Sequence, residues 1–183
     1  MAETGVSSCR RFPQGSWSAL EELIRAYSDA LVRFAYGYVQ DSAAAEDVVE
    51  DVFAVMFVRG KRFADEQAMR SYLYKAVRNR AVDYLRRHRN HVPLEDVENI
   101  LYAGDTEEAM HRKLRNEKLY LCLQKLPAQY REVLQLSYFD GFSLKESARI
   151  MGKTMKQIYN LHARAKDALR VLLEKEGITD EDI

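Results

Sequence analysis

Two clusters of side chains in this sequence have the chemistry to hold nucleic acid. The first runs through Arg59, Lys61, Arg62 and Phe63 into Tyr72, Tyr74, Lys75, Arg78, Asn79, Arg80, Asp83, Tyr84, Arg86 and Arg87. Such cations neutralise phosphates and release condensed counterions. Aromatic faces stack on unpaired bases at roughly 1–3 kcal/mol per base. Cations interleaved with rings therefore suit a strand separated from its complement. The second cluster is Lys153, Thr154, Lys156, Gln157, Tyr159, Asn160 and Arg164. Here Lys and Arg donate to guanine or phosphate, and Gln and Asn match the edge of adenine. Plainer readings compete: a basic helix face keeps a protein hydrated, and Tyr72 and Tyr84 suit a core.

Other chemistry has little to work with. His88, His91, His111 and His162 are scattered, with no cysteine or carboxylate at metal-ligand spacing. Cys9 and Cys122 form no CxxC pair and no disulfide framework, so a reduced, cytoplasmic setting is expected. No glycine-rich phosphate loop or nucleophile motif is present. The expectation is a protein without catalysis, metal or cofactor. Arg10, Arg11, Pro13 and Gln14 interrupt any signal-peptide core. No apolar run approaches the ~18 residues that span a bilayer, which excludes direct insertion.

The formal net charge is zero, yet the charges are segregated. Residues 59–91 carry ten Lys or Arg against three acids, 94–110 carry six acids and no base, and 145–170 return to plus five. A phosphate-binding footprint depends on that local clustering.

The elements that must position these residues are helical throughout, with only three prolines and no alternating strand pattern. After a flexible leader (1–15), a first helix is expected to start near Ser16 or Ser18; Ser18 and Glu21 have capping-box spacing, and Leu20, Leu23, Ile24, Tyr27, Leu31 and Phe34 follow at helical intervals. The pattern breaks at Gln40–Ser42. A second helix sets Val48, Val49, Val52, Phe53 and Met56 on one side and Glu46, Asp47, Glu50 and Asp51 on the rest, stopping near Gly60. A third is expected from Glu66 to Arg89. Pro93 and the acidic stretch Leu94–Ala109 read as a linker. Beyond it, Leu119, Cys122, Leu123 and Leu126 form a stripe ended by Pro127, and Val133, Leu134, Leu136 and Tyr138 another ended near Gly141.

The sharpest local signal lies between Ser143 and Arg170. Ser143 with Glu146, and Thr154 with Gln157, are two capping boxes eleven residues apart with Gly152 between them. That spacing describes a helix-turn-helix. Leu144, Ala148, Ile150 and Met151 pack the first helix, and Ile158, Leu161 and Ala165 the second. The second cluster is left near the start of the recognition helix, where base edges are read. The fold class is thus all-α, with two small helical domains (16–92 and 111–175) joined by an acidic linker (93–110) and a tail (176–183).

The run Ala44-Ala45-Glu46-Asp47-Val48-Val49-Glu50-Asp51-Val52-Phe53, then Tyr72-Leu73 and Ala76-Val77-Arg78-Asn79-Arg80-Ala81-Val82-Asp83-Tyr84-Leu85-Arg86, resembles the promoter-opening domain of extracytoplasmic-function RNA polymerase sigma factors of the sigma-70 family. Leu126-Pro127, Arg131, Gly141-Phe142-Ser143, Glu146, Ala148, Gly152 and Arg164-Ala165 resemble their second DNA-binding domain. The resemblance spans Ser16 to Leu173, and its style is similar to the type found in Bacteroides-like bacteria. It implies a dissociable polymerase subunit that selects promoters. Glu46, Asp47, Asp51 and Phe53 would dock on the core enzyme's clamp helices. Arg59, Lys61, Arg62, Phe63, Arg78, Asn79, Asp83, Arg86 and Arg87 would hold the minus-ten element, with Asn79, Asp83 and Arg86 around a flipped base. Lys153, Thr154, Lys156, Gln157, Tyr159, Asn160 and Arg164 would read the minus-thirty-five duplex. Implied partners are core RNA polymerase, promoter DNA and a membrane-anchored anti-sigma factor, around which the two domains could close. Ser147 stands where the family prefers an apolar residue, Arg149 at a variable position, His162 near a usual leucine, and Phe57 close to a usual tryptophan.

Three alternatives remain at this stage. A one-component helix-turn-helix regulator would use the residues before Pro93 to bind a signal or a second subunit, and not polymerase. A small enzyme would need a constellation that the sequence lacks. A helical adaptor would leave both basic clusters without a role.

Overall fold

A computed structural model describes residues 17–88 and 119–177, and every element within them is helical. The leader, the acidic stretch 94–109, Pro93, His91 and His111 lie outside the described residues. The first group comprises α1 (Trp17–Val39), α2 (Ser42–Arg59) and α3 (Glu66–Arg87). The second comprises α4 (helical over 119–124), α5 (Ala128–Leu134, continued as a π-helical turn Gln135–Phe139), α6 (Leu144–Met151) and α7 (Met155–Lys175).

Local chemistry sets the boundaries. Gln40 takes a left-handed conformation (φ 54°), and Asp41 caps α2 by accepting from the Ala44 amide at 2.7 Å. Gly60 ends that helix at φ 55°, a conformation that costs glycine little. Asp65 caps α3 in the same way through the Ala68 amide. Two details differ from the sequence reading. Trp17 is already helical, so Ser18 lies inside α1 and is not its N-cap. Helix α3 ends at Arg87 instead of Arg89, with His88 stacked on Tyr84 (centroids 4.1 Å apart). The π turn is not anticipated by the sequence. Its geometry carries a side-chain bond from Ser137 Oγ to the Val133 carbonyl, 2.8 Å.

Leu23, Leu31, Phe34, Val49, Met56, Met69, Leu73 and Val77 fill the interior of the first group, and Val133, Leu134, Ile150, Ile158 and Ala165 that of the second. These two sets form one continuous apolar cluster, because α3 packs on α6 and α1 on α5. An aromatic column crosses the boundary: Phe34 lies 5.0 Å from Tyr74, and Tyr74 lies 4.8 Å, edge-on, from Phe142. The sequence suggests two tethered units; among the described residues they meet directly.

Candidate nucleic-acid interface

Helix α3 divides into faces. Met69, Leu73, Val77 and Ala81, four residues apart, point into the first group's core. Lys75, Asn79, Val82 and Arg86 form an exposed stripe on another side. Arg59, Lys61 and Arg62 of the preceding loop are exposed as well. That loop is anchored to α3: Phe63 packs on Tyr72 at 5.4 Å, and Lys61 Nζ sits 3.9 Å above the same ring. The cation and ring are thus held together. Asp83 pairs with Arg86 one turn on, 3.3 Å.

Some residues named from the sequence stand elsewhere. Phe53 is 4% exposed and packs in the core. It supports α2 from beneath, with little of its ring at the surface, because the apolar side of an amphipathic helix is the side that leaves water. Phe63 is half-buried against Tyr72. Tyr74 lies in the aromatic column. Arg78 does not face solvent with the stripe. Its Nε donates to Glu132 Oε1 across the boundary, 2.7 Å. Asp51 accepts from Arg80 at 2.7 and 3.1 Å, tying α2 to α3. Glu46, Asp47 and Glu50 point outward beside it. Between α1 and α2 runs a groove lined by Trp17, Ile24, Asp29, Glu46, Phe53 and Phe57. Trp17, unassigned from the sequence, packs against Phe57 with tilted rings, centroids 4.6 Å apart.

The helix-turn-helix has the expected local structure. Both capping boxes are closed, with Ser143 and Glu146 on α6 and Thr154 and Gln157 on α7. Gly152 makes the turn at φ 64°. Buried Ser147 donates its hydroxyl to the Ser143 carbonyl at 3.0 Å, which explains how a polar group replaces an apolar one there. Lys156, Gln157, Tyr159, Asn160 and Arg164 are exposed together, with Thr154 at their edge and Lys153 half-buried. His162 is turned aside and stacks on Tyr138 at 5.6 Å. Burial, and then Lys166, lower its pKa, which favours a neutral ring. Arg131 is buried and binds Gln124 through its backbone and side-chain oxygens, 2.9 and 2.8 Å, so its role is internal.

Such an assembly offers a basic, ring-bearing helix and loop, a separate helix-turn-helix, and a carboxylate-rich helix. The family description "Sigma-70 region 2" matches residues 23–91, and "Sigma-70, region 4" matches 116–169. The chain belongs to the sigma-70 family of RNA polymerase sigma factors, as an extracytoplasmic-function member. The sigma-70 domains meet two-thirds of its length. A relative is the ECF RNA polymerase sigma factor SigM of Bacillus subtilis, 26% identical over 88% of this chain and 99% of its own. The RNA polymerase sigma-E factor of Streptomyces antibioticus is 28% identical over 90% of each. Among solved structures, the sigma factor RpoE in complex with the anti-sigma factor NepR from Bartonella quintana is similar with a TM-score of 0.67 at 20% identity, over 84% of this chain and 96% of that one. CnrH in complex with the cytosolic domain of CnrY gives 0.62 at 22%, over 93% and 95%. These two likenesses bear on the fold of the sigma factor.

Proposed function

We propose that this sigma factor binds core RNA polymerase through the outward carboxylates of α2, holds the minus-ten element with the loop after α2 and the open stripe of α3, and reads the minus-thirty-five duplex with α7. It acts by binding in the cytoplasm and catalyses no reaction of its own. An anti-sigma factor, the kind of partner held by the similar RpoE, is its expected regulator. The observation that carries the reading is the separation of charge by element: Glu46, Asp47, Glu50 and Asp51 on α2, cations on the adjoining loop and α3, and a second cationic set on α7. A carboxylate surface suits a reversible, salt-sensitive contact with a basic protein, and the cationic surfaces suit DNA. The likeness to Bacteroides-type members belongs to this proposal and rests on the style of the quoted motifs.

The test is capture of core polymerase at low salt, followed by transcription from promoters mapped after overexpression. Asp47→Lys with Asp51→Lys should abolish capture while helicity is kept. Undiminished capture by that folded variant would refute docking through α2.

A further inference from the structure

The carboxylates of α2 fall into two sets. Asp51 is taken up by Arg80 of α3, and Asp47 lies one turn before it. Glu46 and Glu50, also one turn apart, instead line the groove between α1 and α2, followed by Ala54 and Phe57. Asp29 lines it from α1. Among the described residues no cation pairs with Asp29, Glu46 or Glu50. Arg33, the cation of the lining, stands at the far end of the groove, where it also stabilises the Asp140 carboxylate. The near end is apolar: Trp17 is 73% exposed and Ile24 40%, and Trp17 lies against Phe57. The groove measures about 910 Å³, room for a few large side chains. An open apolar mouth leading to unpaired carboxylates suits a short chain that carries both a ring and cations.

We infer that this chain's own leader occupies the groove through Arg10-Arg11-Phe12, and that it thereby competes with core polymerase for Glu46 and Glu50. The docking stands on the groove; the competition rests on the proposed function for the identity of the competitor. The leader joins α1 at Trp17, the apolar mouth itself. Asp29 lies twelve residues beyond Trp17, about 18 Å along the helix. Arg11 and Arg10 lie six and seven residues before it, an extended reach of about 20–23 Å. A chain doubling back at Gly15, where glycine makes a sharp turn cheap, therefore lays the Phe12 ring toward Ile24 and carries the guanidinium groups to Asp29, Glu46 and Glu50. A short tether sets an effective concentration in the millimolar range, so contacts too weak to hold a free peptide suffice. The same tether favours this leader over that of a second copy.

Cys9, one residue before Arg10, supplies the probe. The experiment places a nitroxide on it in the full chain, with buried Cys122→Ala, and reads broadening of the amide signals of Asp29, Glu46 and Ala54. The parent chain should show strong broadening at low salt that fades near 1 M, where the Debye length is about 3 Å. Two variants should lose it: the leader variant Arg10→Gln, Arg11→Gln, Phe12→Ser, and the groove variant Asp29→Lys. Equal broadening in the leader variant would reduce the effect to the tether alone and overturn the docking. Broadening of unlabelled copies by nitroxide-bearing ones, in a mixed sample, would seat a second copy in the groove and overturn the leader as occupant. The leader variant should capture core polymerase about fivefold more tightly than the parent, because the competent fraction rises. In the Asp29→Lys background, where the leader is already released, its substitutions should add nothing. An equal gain there would trace the effect to net charge and overturn the competition. Because the broadening needs no polymerase, failed capture by every form would strike the sigma-factor reading and leave the docking standing.

Discussion

Asp140 shows how a single carboxyl reports on the packing of the two domains. Burial pushes its pKa up to about 6 from the usual 3.8, and the Tyr74 hydrogen bond, Arg33 and Arg70 only partly counter this. Its Oδ2 is buried with no hydrogen-bond partner. The folded chain therefore holds this proton more tightly than the unfolded chain does. Its contribution to stability is fully present below pH 3.8 and is lost as pH rises through about 6. Asp140→Asn keeps an acceptor for Tyr74 and removes the titration. The difference in Tm between variant and wild type should accordingly grow from pH 4 to pH 7, in the variant's favour. A constant difference, measured by calorimetry across that range, would contradict the account. At Glu132, too, burial raises the pKa, while Tyr38 and Arg78 lower it, so only the difference between the two proteins isolates Asp140.

At the level of elements, the helix-turn-helix is held by caps that can be tested one by one. Thr154 accepts from the Gln157 amide at 3.3 Å, and Gln157 Oε1 accepts from the Thr154 amide at 2.9 Å. Thr154→Ala should cost about 1 kcal/mol, lowering Tm by about 2–4 °C. It should also weaken duplex binding through fraying of the first turn of α7. This element is legible in the sequence because its signals are local: two boxes and a glycine lie within fifteen residues. The faces of α2 are legible for the same reason, since Val48, Val49, Val52 and Met56 repeat at the helical period. The contact between the two domains is not. Arg78 and Glu132 are 54 residues apart, and in sequence Arg78 is indistinguishable from the exposed Arg86. Sequence reasoning misplaces Phe53 because an aromatic ring beside carboxylates suits a contact surface as well as a core. The π turn escapes because its apolar residues still follow a near-helical repeat. Gly37, where a Cβ would meet Gln135 Oε1 of the second domain at 3.3 Å, carries a usable signal, an interior helical glycine without a turn to explain it.

For the whole molecule, the formal net charge of zero would suggest weak dependence of DNA binding on salt. The placement of the charges argues the opposite, because phosphates meet only the cationic surfaces and the α2 carboxylates sit on another helix. Counterion release then scales with the phosphates contacted, about 0.9 per contact in the log–log slope. On the proposed reading of α7, Lys156 and Arg164 would be phosphate partners, while Gln157 and Asn160 carry amide groups that match the edge of adenine. The double variant Lys156→Ala, Arg164→Ala should therefore flatten the slope by about 2 and weaken matched and mismatched upstream duplexes alike. Gln157→Ala with Asn160→Ala should leave the slope unchanged and narrow the gap between matched and mismatched sites, at about 1–3 kcal/mol per lost bidentate contact. Binding of the polymerase–sigma complex to both duplexes, titrated from 50 to 400 mM salt (an experimental range of about one decade), measures slope and gap together. If the lysine–arginine pair instead changed the gap and left the slope untouched, the division of α7 into positioning and reading residues would be reversed.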